Sequence, residues 1–125
     1  MKEKFELEYL FKTTPGVLEN LIGTPSGLSE WFADNVNVNN NIYRFEWNGA
    51  IEEASLQFHK ANQRIRFKWL ADVDNECYFE IATKPDLMTG SMIINITDFA
   101  DPQDVPSAEL LWNKQIEKLR RILGA

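Results

Sequence analysis

Runs of alternating apolar and polar residues fill most of this sequence and constrain its fold more than any other feature. The clearest run is 64–69, where Ile65, Phe67 and Trp69 alternate with basic residues. A period of two with aromatic residues on one side is typical of a half-buried strand. The same pattern predicts strands at 4–11, 43–47, 54–59, 77–83 and 92–96, and an Asn-rich edge strand with its loop at 35–41.

Helical segments lie on both sides of this strand-rich region. Thr-Pro pairs at 14–15 and 24–25 each place a capping threonine before a proline, which the first helical position tolerates. They predict two short helices in tandem after the first strand. Residues 104–123 carry a broad apolar stripe at helical spacing and are followed by Gly124, which predicts one long C-terminal helix.

The order of these elements predicts the architecture. Short turns such as Asn48-Gly49 join antiparallel neighbours, so the strands are expected to form a meander. A sheet with one apolar face must cover that face, and the C-terminal helix is the only long amphipathic element available. We therefore expect a single α+β domain over residues 1–125. It should run strand, two short helices, about six antiparallel strands, and a long helix packed on the concave sheet.

The first third of the chain resembles a known superfamily. A Thr-Pro pair opening a short helix, followed by the sequence LSEWF at 28–32, is similar to the start of the START-like (SRPBCC, helix-grip) superfamily. That superfamily includes polyketide cyclases, the birch-pollen-allergen fold and the activator-of-heat-shock-chaperone-ATPase-like proteins. The activator-like branch is the nearest in pattern, although the Asn-rich loop and the short 49–54 connection depart from it.

The resemblance implies a cavity between the concave sheet and the long helix, which different members use for lipids, sterols, polyketides or hormones. Alternating aromatics also suit a solid core, and that alternative stays open. The polar tips of tryptophan and tyrosine need partners when buried, which favours an amphipathic lining. The residues expected to line the cavity and contact a ligand are Trp31, Tyr43, Phe45, Trp47, Phe58, Phe67, Trp69, Phe79, Ile94, Trp112 and Gln115.

Composition and charge exclude several classes of function. The net charge of −6 disfavours binding to nucleic acids and to anionic membranes. No segment approaches the roughly 18 apolar residues of a membrane span. The single cysteine, Cys77, allows no intrachain disulfide, and the charged N-terminal pattern is unlike a signal peptide, so a cytoplasmic location is expected.

The sequence carries no catalytic, metal or cofactor signature. His59, the only histidine, is expected by parity to face solvent, and Cys77 has no histidine or CxxC partner. The acidic turn at 72–76 departs from a calcium loop because Cys77 stands where glycine is required. An enzyme would need a buried acid or base, and the inward candidates are Tyr9, Tyr43, Glu80 and Asp98.

Three functions remain compatible with these patterns. The leading hypothesis is a non-enzymatic module that binds a small hydrophobic or amphipathic ligand without a cofactor. The first alternative is a chaperone-cofactor-like domain with a filled core, which would bind a protein partner or a second copy of itself. The second is an enzyme of the cyclase or dehydratase type.

Overall fold

The computed structural model describes residues 1–124 and contains one seven-stranded sheet and three α-helices. Single turns of 3-10 helix at Leu70–Asp72 and Pro102–Asp104 follow the fifth and seventh strands. The elements in chain order are β1 (Glu3–Phe11), α1 (Pro15–Ile22), α2 (Pro25–Trp31), β2 (Asn35–Asn39), β3 (Ile42–Trp47), β4 (Ala50–Lys60), β5 (Arg64–Trp69), β6 (Phe79–Pro85), β7 (Met92–Ala100) and α3 (Val105–Leu123).

The sheet is antiparallel throughout, in the order β1-β7-β6-β5-β4-β3-β2. Consecutive strands from β2 to β7 are neighbours, as a meander requires. The exception is β1, which pairs with β7, so that Leu7 lies opposite Ile96. Helices α1 and α2 carry the chain from one edge of the sheet to the other. The α+β helix-grip arrangement predicted from the sequence is confirmed.

Both short helices begin at the predicted threonines. The Oγ1 atoms of Thr14 and Thr24 accept hydrogen bonds from the backbone N–H groups of Val17 and Gly27, at 3.4 and 2.9 Å. The two helices approach each other closely at Gly27, where an added Cβ would lie only 2.0 Å from the carbonyl oxygen of Asn20. The tandem arrangement therefore depends on a residue without a side chain at this position.

Helix α3 covers the concave face of the sheet. Its apolar stripe buries Trp112, Ile116 and Leu119, and the helix ends at Gly124, which adopts the left-handed conformation at φ 69°. Glycine accepts this conformation without steric cost. The predicted continuous helix at 104–123 is confirmed to within one residue. Within residues 1–124, no helix is long and apolar enough to cross a membrane.

A cluster of aromatic rings fills the space between the sheet and α3. Phe45 and Phe67 are fully buried, and their ring centroids lie 5.6 Å apart. The ring of Phe79 lies 5.0 Å from that of Phe67. Phe32, at the end of α2, inserts between the layers, 5.5 Å from Phe79 and 5.4 Å from Trp112. Because the rings contact one another, the deep interior is a solid core.

A β-bulge in β4 reverses the predicted orientation of Phe58. Leu56 pairs with Phe67 on the inner face, but the register then shifts and Phe58 pairs with Arg66. Paired residues project from the same face, and Arg66 is on the outer one. Phe58 is accordingly exposed, with the guanidinium of Arg64 4.8 Å from its ring centroid. The prediction that Phe58 faces the cavity is wrong, because alternation does not continue through an extra residue.

The same bulge moves His59 to the inner side of the sheet, opposite Ile65. The His59 side chain remains accessible at the rim, where its Nε2 lies 2.8 Å from Oε2 of Glu19 on α1. The other carboxylate oxygen of Glu19 accepts a hydrogen bond from the backbone N–H of Asn62. The predicted solvent exposure of His59 is therefore borne out, although its side of the sheet is the inner one. Its contacts tie α1 to the turn between β4 and β5.

Candidate ligand-binding site

An open pocket of about 450 Å³ lies at one end of the groove between α3 and the sheet. This volume is within the range of about 300–1,000 Å³ that is typical of small-molecule sites. The aromatic core does not fill the whole length of the groove, and the pocket is the part that remains open. Its lining residues are Phe32, Trp47, Asn48, Glu52, Trp69, Asp98, Leu111, Trp112 and Gln115.

Aromatic rings form most of the pocket wall. The centroids of Trp47 on β3 and Trp69 on β5 lie 6.2 Å apart. The ring centroid of Phe32, at the end of α2, lies 5.4 Å from those of both Trp47 and Trp112, so this ring contacts the sheet and α3 together. Trp47 and Trp69 are only partly buried. They therefore belong both to the core and to the pocket surface.

Hydrogen bonds hold two of the three pocket indoles in position. Trp47 Nε1 and Gln115 Nε2 both donate to the carbonyl oxygen of Phe32, each at 2.8 Å. Trp112 Nε1 donates to Oδ2 of Asp98 at 2.8 Å. Within the described chain, the indole N–H of Trp69 has no hydrogen-bond partner, and it is not sealed from solvent. It is therefore available to a ligand.

Asp98 lies on the inner face of β7, opposite Phe5, and contributes a carboxyl group to the pocket. Its Oδ1 accepts a hydrogen bond from the backbone N–H of Phe99 at 2.8 Å, and its Oδ2 accepts the hydrogen bond from the indole N–H of Trp112. Desolvation raises the pKa of Asp98 above the ordinary 3.8, and these two donors act in the opposite sense without offsetting it. Among residues 1–124, no basic side chain forms an ion pair with it.

This raised pKa predicts a specific pH dependence for Asp98→Asn. The folded state binds the Asp98 proton more tightly than the unfolded state, so stability that is present below pH 3.8 is lost as the pH rises through the raised pKa. The free energy of unfolding of Asp98→Asn minus that of the wild type should therefore increase as the pH rises from about 3.8 through the raised pKa of Asp98. Urea melts at a series of pH values measure this difference. A flat or falling difference would contradict the assignment.

The structure divides the predicted cavity residues into three groups. The first lines the pocket: Trp47, Trp69, Trp112 and Gln115. The second is buried in the core: Trp31, Tyr43, Phe45, Phe67, Phe79 and Ile94. Phe58 alone lies on the outer face. Whether the pocket residues bind a ligand stays a prediction.

Two important lining residues were not singled out from the sequence as cavity residues. Phe32 follows Trp31 in the LSEWF segment, but its insertion between sheet and helix depends on where α2 ends. Glu52 lies opposite Phe45 on the inner face, in phase with Ala54. Extending the alternation of β4 towards its start would have found Glu52. The predicted strand began only at residue 54.

Of the four acid–base candidates, Asp98 is the one in the pocket. Glu80 lies on the outer face, where its Oε1 accepts a hydrogen bond from Arg66 Nε at 2.8 Å. Burial raises the pKa of both Tyr9 and Tyr43, but neither lines the pocket. Over residues 1–124, no group of three His, Cys, Asp or Glu side chains converges to hold a metal ion.

A shallower groove of about 200 Å³ continues from the pocket along α3. It shares Phe32, Trp47, Leu111 and Gln115 with the pocket, and its added charged residues are Asp34, Lys114 and Lys118. The larger part of the cleft therefore has two carboxylates and no basic side chain, and the smaller part has two lysines and one carboxylate.

A twisted antiparallel sheet closed by a C-terminal helix, with an aromatic pocket between them, defines a helix-grip protein of the START type. A family model described as a START-like superfamily domain matches residues 1–125. The chain belongs to the START-like superfamily, as its sequence resemblance predicted. No curated protein matches the chain in sequence.

Solved structures show the same fold over nearly the whole chain. A Bacteroides fragilis protein solved by NMR in solution is 36% identical, with a TM-score of 0.67, covering 98% of this chain and 91% of its own. The Aha1 dimer from Colwellia psychrerythraea is 11% identical, with a TM-score of 0.79, covering 94% and 92%. DynU16, a putative protein in the dynemicin biosynthetic locus, is 14% identical, with a TM-score of 0.78, covering 98% and 47%. The last two likenesses show the fold alone.

Proposed function

We propose that residues 1–125 form one START-like domain that binds a small hydrophobic or amphipathic ligand in the pocket between Trp47, Trp69 and Trp112. One observation carries the proposal. The aromatic core stops short of one end of the groove and leaves about 450 Å³ walled by partly buried indoles. Such amphipathic rings supply contact area and, through the free N–H of Trp69, a hydrogen-bond donor.

The filled interior favours a compact ligand. Phe32, Phe67 and Phe79 occupy the space where a long acyl chain would need to enter. A ring-bearing molecule that stacks on the indoles fits the pocket without displacing the core. The expected location of the protein, the cytoplasm, stays a prediction.

A protein-interaction role is the second candidate, and an apolar surface beside the pocket favours it. Leu110 and Leu111 on α3 are 61% and 59% exposed. Exposed apolar side chains next to an open groove suit a contact with a protein partner or a second copy. This role requires no occupant in the pocket.

The enzyme alternative now rests on Asp98. A carboxyl group with a raised pKa in a pocket is what a general acid needs. Such an enzyme would still bind its substrate at the same pocket, so the ligand test comes first.

We expect the uncharged fluorophore N-phenyl-1-naphthylamine to bind the folded protein with enhanced emission and energy transfer from tryptophan. Trp69→Ala should weaken this binding about tenfold, which corresponds to about 1.4 kcal/mol, because the variant removes one pocket wall. Fluorescence titration measures both effects. Phe58→Ala is the matched control: it removes an aromatic ring from the outer face of the neighbouring strand and should leave binding unchanged.

A folded wild type that binds no probe would defeat the ligand-binding proposal and promote the interaction-domain candidate. Equal weakening in Trp69→Ala and Phe58→Ala would place the probe outside the pocket.

A further inference from the structure

We propose that the pocket selects small organic cations, in which a quaternary ammonium or similar group lies against the tryptophan rings with Asp98 and Glu52 as its counter-charges. This inference rests on the proposed function, since it names the ligand class of the same pocket.

The charge of the lining supports a cationic ligand. The pocket contains two carboxylates from different walls, Asp98 on β7 and Glu52 on β4, and no lysine, arginine or histidine. Across residues 1–124, neither carboxylate takes part in an ion pair. Asp98 is held largely out of water beside apolar rings, where a carboxylate without a counter-ion is costly to keep ionised, and Glu52 adds a second negative charge at the pocket opening. A bound cation would supply the missing charge.

The aromatic composition supports the same ligand class. Indole is the ring that attracts cations most strongly, and Trp47, Trp69 and Trp112 all line this pocket. Quaternary ammonium groups are commonly recognised by such sets of aromatic rings because they are poorly hydrated and cannot donate hydrogen bonds. The pocket thus combines the two attractions, ring and carboxylate, that an organic cation requires.

The charged groups around Asp98 do not remove this preference. Lys2, ahead of β1, and Asp72, after β5, act on Asp98 with opposite signs, and neither lines the pocket. Lys114 and Lys118 line only the adjoining groove of about 200 Å³. An anionic ligand would have to place its charge there. In the larger and more aromatic pocket, the charged side chains that a ligand would meet are the carboxylates of Glu52 and Asp98.

Three probes of matched shape test the proposal on the wild-type protein. They are phenyltrimethylammonium, its uncharged isostere tert-butylbenzene, and the anion 4-tert-butylbenzoate. Titrations followed by tryptophan fluorescence and by ligand NMR should show the cation binding at least about tenfold more tightly than the isostere, and the anion most weakly. Because the ammonium charge is fixed, binding of the cation should weaken on acidification while binding of the isostere should not.

Variants assign the effect to the two carboxylates. Glu52→Gln and Asp98→Asn should each reduce the preference for the cation over the isostere several-fold and leave binding of the isostere itself unchanged. Glu53→Gln is the matched control, because Glu53 is the next residue of β4, points to the outer face and contacts Arg44 at 3.6 Å. Glu52 is exposed, so its variant keeps the test valid even where Asp98→Asn folds poorly.

The possible outcomes separate this inference from the function on which it rests. Equal binding of cation and isostere overturns cation selectivity but supports a ligand pocket. Tightest binding of the benzoate overturns it in favour of the lysine groove. Cation preference that survives both carboxylate variants also overturns it. If none of the three probes binds the folded wild type, both proposals fail.

Discussion

Phe79→Ala should lower the free energy of unfolding by about 3–5 kcal/mol, the usual cost of removing a fully buried phenylalanine. Phe79 is 1% exposed, and its ring lies 5.0 Å from those of Phe67 and Trp69 and 5.5 Å from that of Phe32. Phe45 on β3 and Trp112 on α3 lie 6.3 and 6.2 Å away, so rings from β5, α2, β3 and α3 would border the resulting cavity, and none can close it without breaking other ring contacts. Urea melts measure the change, which would remove much of a typical stability of about 5–15 kcal/mol.

Phe58→Ala is the matched control for this prediction. Phe58 also belongs to the sheet, and alternation assigned it to the interior, but it is 39% exposed and its ring contact is with the Arg64 guanidinium. Its removal should cost less than about 1 kcal/mol. Similar losses in the two variants would mean that the bulge in β4 does not exist or that the aromatic core is not solid.

Gly27→Ala should also lower the free energy of unfolding strongly. The expected loss lies at or above the upper end of the about 1–3 kcal/mol that is usual for overpacking. An added Cβ would lie 2.0 Å from the carbonyl oxygen of Asn20 and 2.7 Å from the Cα of Leu21. Both are backbone atoms of α1, so no side chain can rotate away, and the two helices must separate. Thermal and urea melts report the loss.

Gly16→Ala provides the opposite expectation in the neighbouring helix. An added Cβ at Gly16 meets no atom within 4 Å. Alanine is a better helix former than glycine, so this variant should be neutral or stabilised by up to about 1 kcal/mol. A large loss at Gly16, or none at Gly27, would show that α1 and α2 do not pack as described.

The order of elements could be predicted from the sequence because its local signals are strong. In β5, Ile65, Phe67 and Trp69 alternate without interruption, and all three project inward as expected. The capping threonines and Gly124 mark helix ends through contacts with their own neighbours in sequence. Such short-range signals do not depend on how the sheet closes.

The bulge in β4 could not be predicted by the same means. Gln57 is an ordinary polar residue in an alternating run, and nothing local indicates that the register shifts between Leu56 and Phe58. Alternation predicts which residues of a strand share a face only where each residue pairs with one residue of the neighbouring strand. Phe58 and His59 were consequently assigned to the wrong faces.

The boundary between core and pocket was also beyond the sequence pattern. Phe67 and Trp69 occupy equivalent inward positions on β5, yet Phe67 is sealed in the core and Trp69 lines the pocket. Phe67 is enclosed by the rings of Tyr43, Phe45 and Phe79, whereas Trp69 also borders the open space beside Phe32 and Trp112. A contact between distant elements decides it, and periodicity within one strand carries no information about such a contact.

The pairing of β1 with β7 has a consequence for the order in which the protein folds. Strands β2 to β7 can form hairpin by hairpin through short connections, but β1 must wait for a partner that lies at the far end of the sheet-forming sequence. Closing so long a loop has a high entropic cost, and contacts of this kind slow folding. During synthesis, β1 leaves the ribosome before the other six strands but cannot pair until β7 has been made, and its aromatic face stays uncovered until then.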